Sequence, residues 1–256
     1  MRQVLAVALP PLPEVTPKDD LAELIADAWR SALQDQPELA PRDSDVLVVT
    51  QKIVSKSEGR VVDLHSITPR PEAVEFAERW GRDARQVEVV MRESAEILRM
   101  ERGIIISRTE HGFVCANAGV DASNTGAREV VTLLPHDPDA SARQLRERLT
   151  ELLGVRPAVV ISDSFGRPWR FGIVDVALGI AGFKPLDDQR GRPDSDGRVM
   201  QSTIVAVADE ICSAAELAAG KTSRQPVVLV RGISLPAGDG SVREDVVMPS
   251  EMDLFT

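Results

Sequence analysis

The sequence predicts an α+β fold, or a mixed α/β arrangement close to it, and three observations carry that prediction. Apolar runs with the length and composition of buried strands recur along the chain, as at Asp45–Thr50, Ala158–Ser162 and Val227–Gly232. Amphipathic helical segments lie between them, but strands and helices do not alternate regularly, which argues against a doubly wound sheet. With 256 residues, 43% hydrophobic and 27% charged, the chain can bury a substantial core as one large unit or two smaller ones.

The elements follow in order. Val4–Leu9 reads as a strand, after which Pro10, Pro11 and Pro13 impose an extended segment. Thr16 is the expected cap of a helix, with Pro17 in its first turn and Asp19 and Asp20 at its positive end. Leu21, Leu24, Ile25, Ala28, Trp29 and Leu33 form its apolar face, so Trp29 belongs to the core. Asp45–Thr50 is a buried strand, Gln51–Lys56 a polar run leaving its end, and Arg60–Leu64 a further strand. Pro71–Trp80 and Asp83–Met100 read as helices, Gly103–Ser107 and Gly112–Ala116 as a hairpin, and Glu129–Leu134 as a strand. Ala140–Leu153 is a helix closed by Gly154. Ala158–Ser162 is a buried strand that presents Asp163 at its end. Lys184–Gly197 is rich in Gly, Pro and Asp, Ser202–Ala219 is largely helical, and Val227–Gly232 is the last core strand.

Composition narrows the function. A net charge of −10 argues against non-specific binding to nucleic acid or anionic membrane. Apolar runs such as Val227–Val230 and Ala158–Ile161 fall far short of the roughly 20 residues of a membrane span. No hydrophobic segment followed by a cleavage site opens the chain, and two cysteines are too few for a secreted disulfide scaffold, so a cytoplasmic location is expected. Cys115 and Cys212 read as small buried residues. None of His65, His111 and His136 lies beside a G-x-S-x-G elbow, so a nucleophilic triad is not expected. Gly220-Lys221-Thr222 resembles the end of a P-loop, but Ala215 stands where the first glycine is required, and what precedes it reads as helix.

Three polar clusters carry the chemistry, each beside an apolar strand. Thr50–Arg60 is dense in donors, and Lys52 and Lys56 offer point charges to phosphate; the plainer reading is a solvated loop. Asn117–Asn124 combines small residues with the hard oxygens of Asp121 and Asn124, which suit Mg²⁺ or Mn²⁺; the plainer reading is a Gly/Asx turn. Ile161–Gly172 sets Asp163 and Ser164 at a strand end, followed by Arg167 and Arg170, which suit a carboxylate or phosphate in fork geometry; the plainer reading is a surface turn.

Together the clusters resemble the coenzyme F420-0:L-glutamate ligase family. The likeness rests on Leu12-Pro13-Glu14-Val15, VVTQKIVSKSEGR at 48–60, NAGVDASN at 117–124, ISDSFGRPWRFG at 161–172, DVALGIAG at 175–182, VADEICSAAEL at 207–217 and VVLVRG at 227–232. Each piece is weak alone, but the ordered set spans nearly the whole chain. The resemblance implies one ligase domain over 1–256, built as two closely packed subdomains with mixed and antiparallel sheets, and a homodimer. The flavin-binding reductase-like domain of the bifunctional members is not among the matched pieces. It implies GTP-dependent attachment of L-glutamate to the deazaflavin precursor F420-0 through an acyl phosphate, with two divalent cations (Mg²⁺ or Mn²⁺) and K⁺ as a further candidate.

Residue by residue, the resemblance implies that Leu12, Pro13, Glu14 and Val15 border the GTP. Gln51, Lys56 and Asn124 then contact the nucleotide. Asp121, Asp163 and Ser164 hold the metals, and Gly220–Gln225 closes over the site. Gln51 departs from the small serine of other members. Arg167 and Arg170 are assigned to the anionic precursor or to glutamate, while Asp175, Asp209 and Glu210 are candidates either for supporting the metal ligands or for taking the proton of the amine. Two other readings stay open: a metal-dependent ligase or kinase for a different acid, and a non-catalytic deazaflavin- or nucleotide-binding module.

Overall fold

The computed structural model describes residues 3–123 and 129–253. The fold is α+β. Strand β1 (Leu5–Ala8) leads to helix α1 (Leu21–Asp35). The helix starts later than the sequence suggests. Asp20 is its cap, accepting the backbone N–H groups of Ala22 and Glu23 at 3.0 and 3.2 Å, whereas Thr16 and Asp19 close a turn on each other. Trp29 is fully buried and donates its indole N–H to the Leu39 carbonyl at 2.9 Å, which satisfies its only polar atom.

Strand β2 (Val46–Thr50) passes directly into helix α2 (Gln51–Ser57), so the polar run expected to trail away as a loop is helical. Its inner face is Gln51, Ile53, Val54 and Ser55, and the i,i+4 spacing throws Lys52 and Lys56 together onto the outer face. Strand β3 (Val61–Asp63), helix α3 (Pro71–Trp80) and helix α4 (Ala84–Arg92) follow. The long helix expected over Asp83–Met100 stops at Arg92, and Ser94–Glu101 is strand β4. Ser94 Oγ bonds back to the Val90 carbonyl at 2.7 Å as the chain leaves the helix, and β4 then finds a partner in β5 (Ile104–Thr109). Strand β6 (Val114–Ala116) completes that three-stranded sheet. Strand β7 (Val130–Thr132) pairs with β3.

Helix α5 (Pro138–Leu153) is capped by Asp137 and closed by Gly154 in the left-handed region. Strand β8 (Ala158–Arg167) runs five residues past its expected end, and β9 (Arg170–Ala181) folds back along it. After a short hairpin of β10 (Asp187–Asp188) and β11 (Ile204–Val205) comes α6 (Val207–Ala219), shorter than the helical stretch expected from Ser202. Strand β12 (Val227–Arg231) and the short helix α7 (Val242–Asp245) end the regular structure.

The main sheet has the order β1-β12-β2-β8-β9, with β2 and β8 parallel and every other pair antiparallel. Both of its faces are covered, so its central strands are apolar throughout. One face packs on Ile25, Trp29, Ala142 and Leu149 from α1 and α5, and the other on Ala208, Ile211 and Ala215 from α6. Helix α5 approaches β9 at Gly179, where a Cβ would stand 2.2 Å from the Pro138 backbone, so only glycine fits. The buried Asp139 carboxylate seals that corner by accepting the N–H of Ile180 at 2.9 Å, the N–H of Val242 at 3.1 Å and the hydroxyl of Ser241 at 2.8 Å. Separate clusters around Phe76, Val87, Val90 and Ile105, and around Leu64, Val89, Val131 and Leu133, form the core of the region between α2 and α5.

Candidate active site

The parallel pairing of β2 and β8 builds the site. Thr50 lies opposite Ser162, so the polar cluster after β2 and the one carried on β8 emerge side by side from the same edge of the sheet. The third cluster reaches them through β7. Asp121 exchanges two backbone hydrogen bonds with Thr132, and the next residue, Leu133, accepts the Gln51 side chain at 2.9 Å. Asn117, Ala118 and Gly119 precede Asp121 with three successive positive φ values. A Cβ on Gly119 would meet the Leu134 side chain at 2.7 Å, so the turn that aims Asp121 needs a glycine there.

Lys52 ties the clusters together. Its ammonium lies 2.7 Å from Asp121 Oδ2 and donates to Ser123 Oγ at 2.7 Å. Burial alone would raise the Asp121 carboxyl, but Lys52 and the N–H and hydroxyl of Ser123 outweigh it and hold the group below the usual carboxylate range. Asp163 behaves in the opposite way. Its carboxyl is pushed up to about 7, first by burial and then by the charges of Asp121 and Asp175, against the Ser164 N–H and Lys52, which favour the ion. Two aspartates distant in sequence are therefore close enough to feel each other, and one of them lacks a cation of its own.

The alternation of a strand divides what β8 carries. Asp163 faces Asp121 and Lys52. Ser164 donates its hydroxyl to Asp175 Oδ1 at 2.6 Å, and the Lys221 ammonium lies 3.3 Å from the same oxygen and 3.1 Å from Glu216 Oε1. The two halves of the site thus have the same composition, carboxylate and hydroxyl with one lysine. Of these groups, Glu216 and the pairing of Lys221 carry no sequence signal, because they depend on where α6 docks.

The other residues singled out in the sequence fall as follows. Lys56 lies 2.6 Å from Glu14 Oε1, which brings the Leu12–Val15 segment to the edge of α2; Val15 is buried and Pro13 exposed, with Leu12 packed on the core. Gln51 is buried, and its side-chain N–H groups go to Ser55 Oγ and the Leu133 carbonyl, both at 2.9 Å. Its amide therefore fastens α2 to the chain beyond β7. Asn124 lies outside the described residues.

Arg167 and Arg170 flank the turn of the β8–β9 hairpin, where Arg167 donates to the Phe171 carbonyl at 3.0 Å. At about 3.3 Å per residue the turn stands roughly 13 Å along the strand from Asp163, so this chain does not bring the two arginines to its own carboxylates. Asp209 accepts the Ala177 N–H at 2.9 Å and is raised by burial, a packing role, and Glu210 is exposed. Cys115, beneath Asp163, is pushed up to about 12 by burial, and Cys212 also lies well above its ordinary value, so both thiols stay protonated as the sequence suggests. A cavity of about 270 Å³ opens beside Asp121, between it and Arg82, Gln86, Val90 and Ile105.

The donor set fits hard divalent cations. It offers carboxylate and hydroxyl oxygens, and the thiol beneath them is protonated. Among the described residues no three carboxylate, His or Cys side chains close into a cage. An ion such as Mg²⁺ commonly takes one or two protein carboxylates and fills its remaining positions with phosphate oxygens and water. Among the described residues no helix is long and apolar enough to cross a membrane.

Carboxylates and ammonium groups gathered where the parallel pairing of β2 and β8 ends make a site that manages concentrated charge. Comparison with known proteins is specific. The chain belongs to the F420-0:gamma-glutamyl ligase family, which it matches over residues 11–232. It is 43% identical over 249 residues to the coenzyme F420:L-glutamate ligase of Methanothermobacter thermautotrophicus, covering 95% of each chain. The protein of that name from Methanopyrus kandleri is 47% identical over 221 residues, 86% of this chain and 83% of its own, and that from Archaeoglobus fulgidus is 42% identical over 245 residues, 95% and 93%.

Proposed function

We propose that the protein joins L-glutamate to the deazaflavin precursor F420-0, using GTP and divalent cations. The observation that carries this reading is the meeting of Lys52, Asp121 and Asp163 where the parallel pairing of β2 and β8 ends, within a family of gamma-glutamyl ligases. In the proposed reaction the acceptor carboxylate attacks the γ-phosphorus of GTP. The bond to GDP breaks, and an acyl phosphate forms. The α-amine of glutamate then attacks the acyl carbon, phosphate leaves with the electrons of the C–O bond, and the amine gives up its proton to solvent.

The barrier is electrostatic, since a carboxylate must approach a triphosphate of like sign. When bound, the cations, Mg²⁺ or Mn²⁺, screen the phosphate oxygens. Asp121, Asp163 and Ser164 would hold them. Lys52 stands beside Asp121 as a charge for the transferred phosphoryl group, and Lys56, once Glu14 releases it, meets the nucleotide along the Leu12–Val15 segment. Asp163 feels the charges of both Asp121 and Asp175, a concentration of negative charge that suits it to holding a cation.

We also propose that the β8–β9 hairpin meets a second copy of the chain. Beyond the sheet it exposes Phe171 and Ile173, apolar side chains that a monomer gains nothing by presenting to water. Mass spectrometry of F420-0 incubated with protein, GTP, glutamate and Mn²⁺ tests the reaction. A glutamyl increment is expected, and it disappears with Asp163→Asn. Cleavage of GTP with no change in F420-0 would point to a different acid, and binding with no cleavage to a non-catalytic module.

A further inference from the structure

We propose that Lys221 is a positioning residue that stands in for a cation at Ser164, so that a divalent ion enters that half of the site only by displacing it. The inference rests on the metal-dependent reading above for the identity of the ion that enters.

Three oxygens surround the Lys221 ammonium: Ser164 Oγ, Asp175 Oδ1 at 3.3 Å and Glu216 Oε1 at 3.1 Å. Asp175 is buried, so its charge needs a partner at all times, and the only ammonium or guanidinium within ion-pair distance of it among the described residues is that of Lys221. The arrangement repeats on the other face of β8, where Lys52 lies against Asp121 and Ser123. Each half of the site thus holds one ammonium among its carboxylates.

The two lysines differ in how firmly they are held. Lys52 stands in α2, with its side chain 19% exposed. Lys221 follows Gly220, the residue that closes α6 with a φ of 68°, and its side chain is 51% exposed. A flexible four-carbon stem on an open segment can leave its oxygens at small cost and carry its charge to an anionic oxygen nearby. Gln225 anchors the far end of the segment to the Leu9 carbonyl at 3.1 Å, so the swing is confined to Lys221–Arg224. In this arrangement cation entry and the release of Lys221 are one event, and Asp175 and Glu216 keep a positive partner throughout.

The test is a Mn²⁺ titration of the nucleotide-free protein, followed by the paramagnetic resonance signal of the free ion. Removing a competing positive charge from within about 4 Å should tighten Mn²⁺ binding roughly tenfold or more in Lys221→Met and in Lys221→Gln, while Lys221→Arg stays near the wild type. Both neutral variants are expected to fold, since the side chain is half exposed, and an unchanged melting temperature checks it. Unchanged or weaker Mn²⁺ binding in the folded neutral variants overturns the proposal, as does an absence of Mn²⁺ binding in all four proteins. Because neither GTP nor F420-0 is present, the shift is expected even from a protein that fails to ligate glutamate. A protein that ligates glutamate without the shift removes the role of Lys221 alone.

Discussion

Replacing Asp163 with asparagine should make the metal-free protein more stable while abolishing its reaction. The folded chain raises this carboxyl from 3.8 to about 7, chiefly by burial and then by the neighbouring charges of Asp121 and Asp175. A carboxyl with a raised folded-state pKa binds protons more tightly folded than unfolded. Stability therefore falls as pH rises from about 4 to about 7, and the full loss is present above that. Three units correspond to about 4 kcal/mol at 1.36 kcal/mol each. Solvent still reaches part of Asp163, which reduces the figure to roughly 2 kcal/mol. For a chain of this length, that is a rise in melting temperature of roughly 4–8 °C. Asparagine keeps an oxygen for the Ser164 N–H and carries no charge at any pH. Thermal melts in chelator should thus show the variant level with wild type near about pH 4 and ahead of it at about pH 8. Added Mn²⁺ should stabilise the wild type and leave the variant where it was. A variant whose advantage is the same at both pH values, or absent at the higher one, refutes the claim that Asp163 is an uncompensated charge awaiting a cation.

Three further outcomes are expected. Lys56→Ala should weaken GTP binding roughly tenfold, the loss of one charge-assisted contact, and Glu14→Gln should strengthen it by freeing Lys56; calorimetry with both variants checks the pair. Gly179→Ala should cost about 3 kcal/mol in denaturant unfolding, because its methyl group meets the Pro138 backbone and helix α5 must move off the sheet; a melt like the wild type would mean that α5 sits further away. Phe171→Glu should shift sedimentation from dimer to monomer without altering the melt of the monomer, and a sedimentation profile that stays dimeric would place the interface elsewhere.

The parts of this fold that were legible in the sequence are those whose pattern is set by burial alone. β2, β8 up to Ser162 and β12 are runs with no exposed face, and α1 and α5 each have a single apolar stripe. Where the sequence misled, a local preference met a partner it could not foresee. The helical pattern of α4 runs smoothly toward Met100, but Ser94–Glu101 is a largely exposed strand that owes its form to β5. Helix α2 hides because half of its inner face is polar: Gln51 and Ser55 bond each other and the chain beyond β7. The hairpin past Ser162 leaves the core, so no alternation announces it. The same division holds for the site. Asp121, Asp163, Ser164 and Lys56 stood out because they are acids, a hydroxyl and a lysine beside apolar strands. Glu216 and the pairing of Lys221 did not, because a helix and the turn after it give no sign of which strand they will meet.

This pattern of success and failure bears on how the site works. Groups visible in sequence sit on β8, on α2 and at the bridge to β7, elements held by the sheet or by buried hydrogen bonds, and they define where charge is to be managed. Glu216 and the pairing of Lys221, invisible in sequence, sit on the rim at the end of α6. A site that takes up and releases concentrated charge needs both kinds. Rigid carboxylates fix the positions at which positive charge is favourable, and ammonium groups on short helices and open turns occupy those positions until something better arrives. Lys52, pinned to Asp121 from a helix, and Lys221, hung on Asp175 from an open turn, differ in just this respect. If filling the site is the step that separates them, metal affinity should respond strongly to the loss of Lys221. Loss of Lys52, which is held at Asp121 from a helix, should instead be felt in turnover.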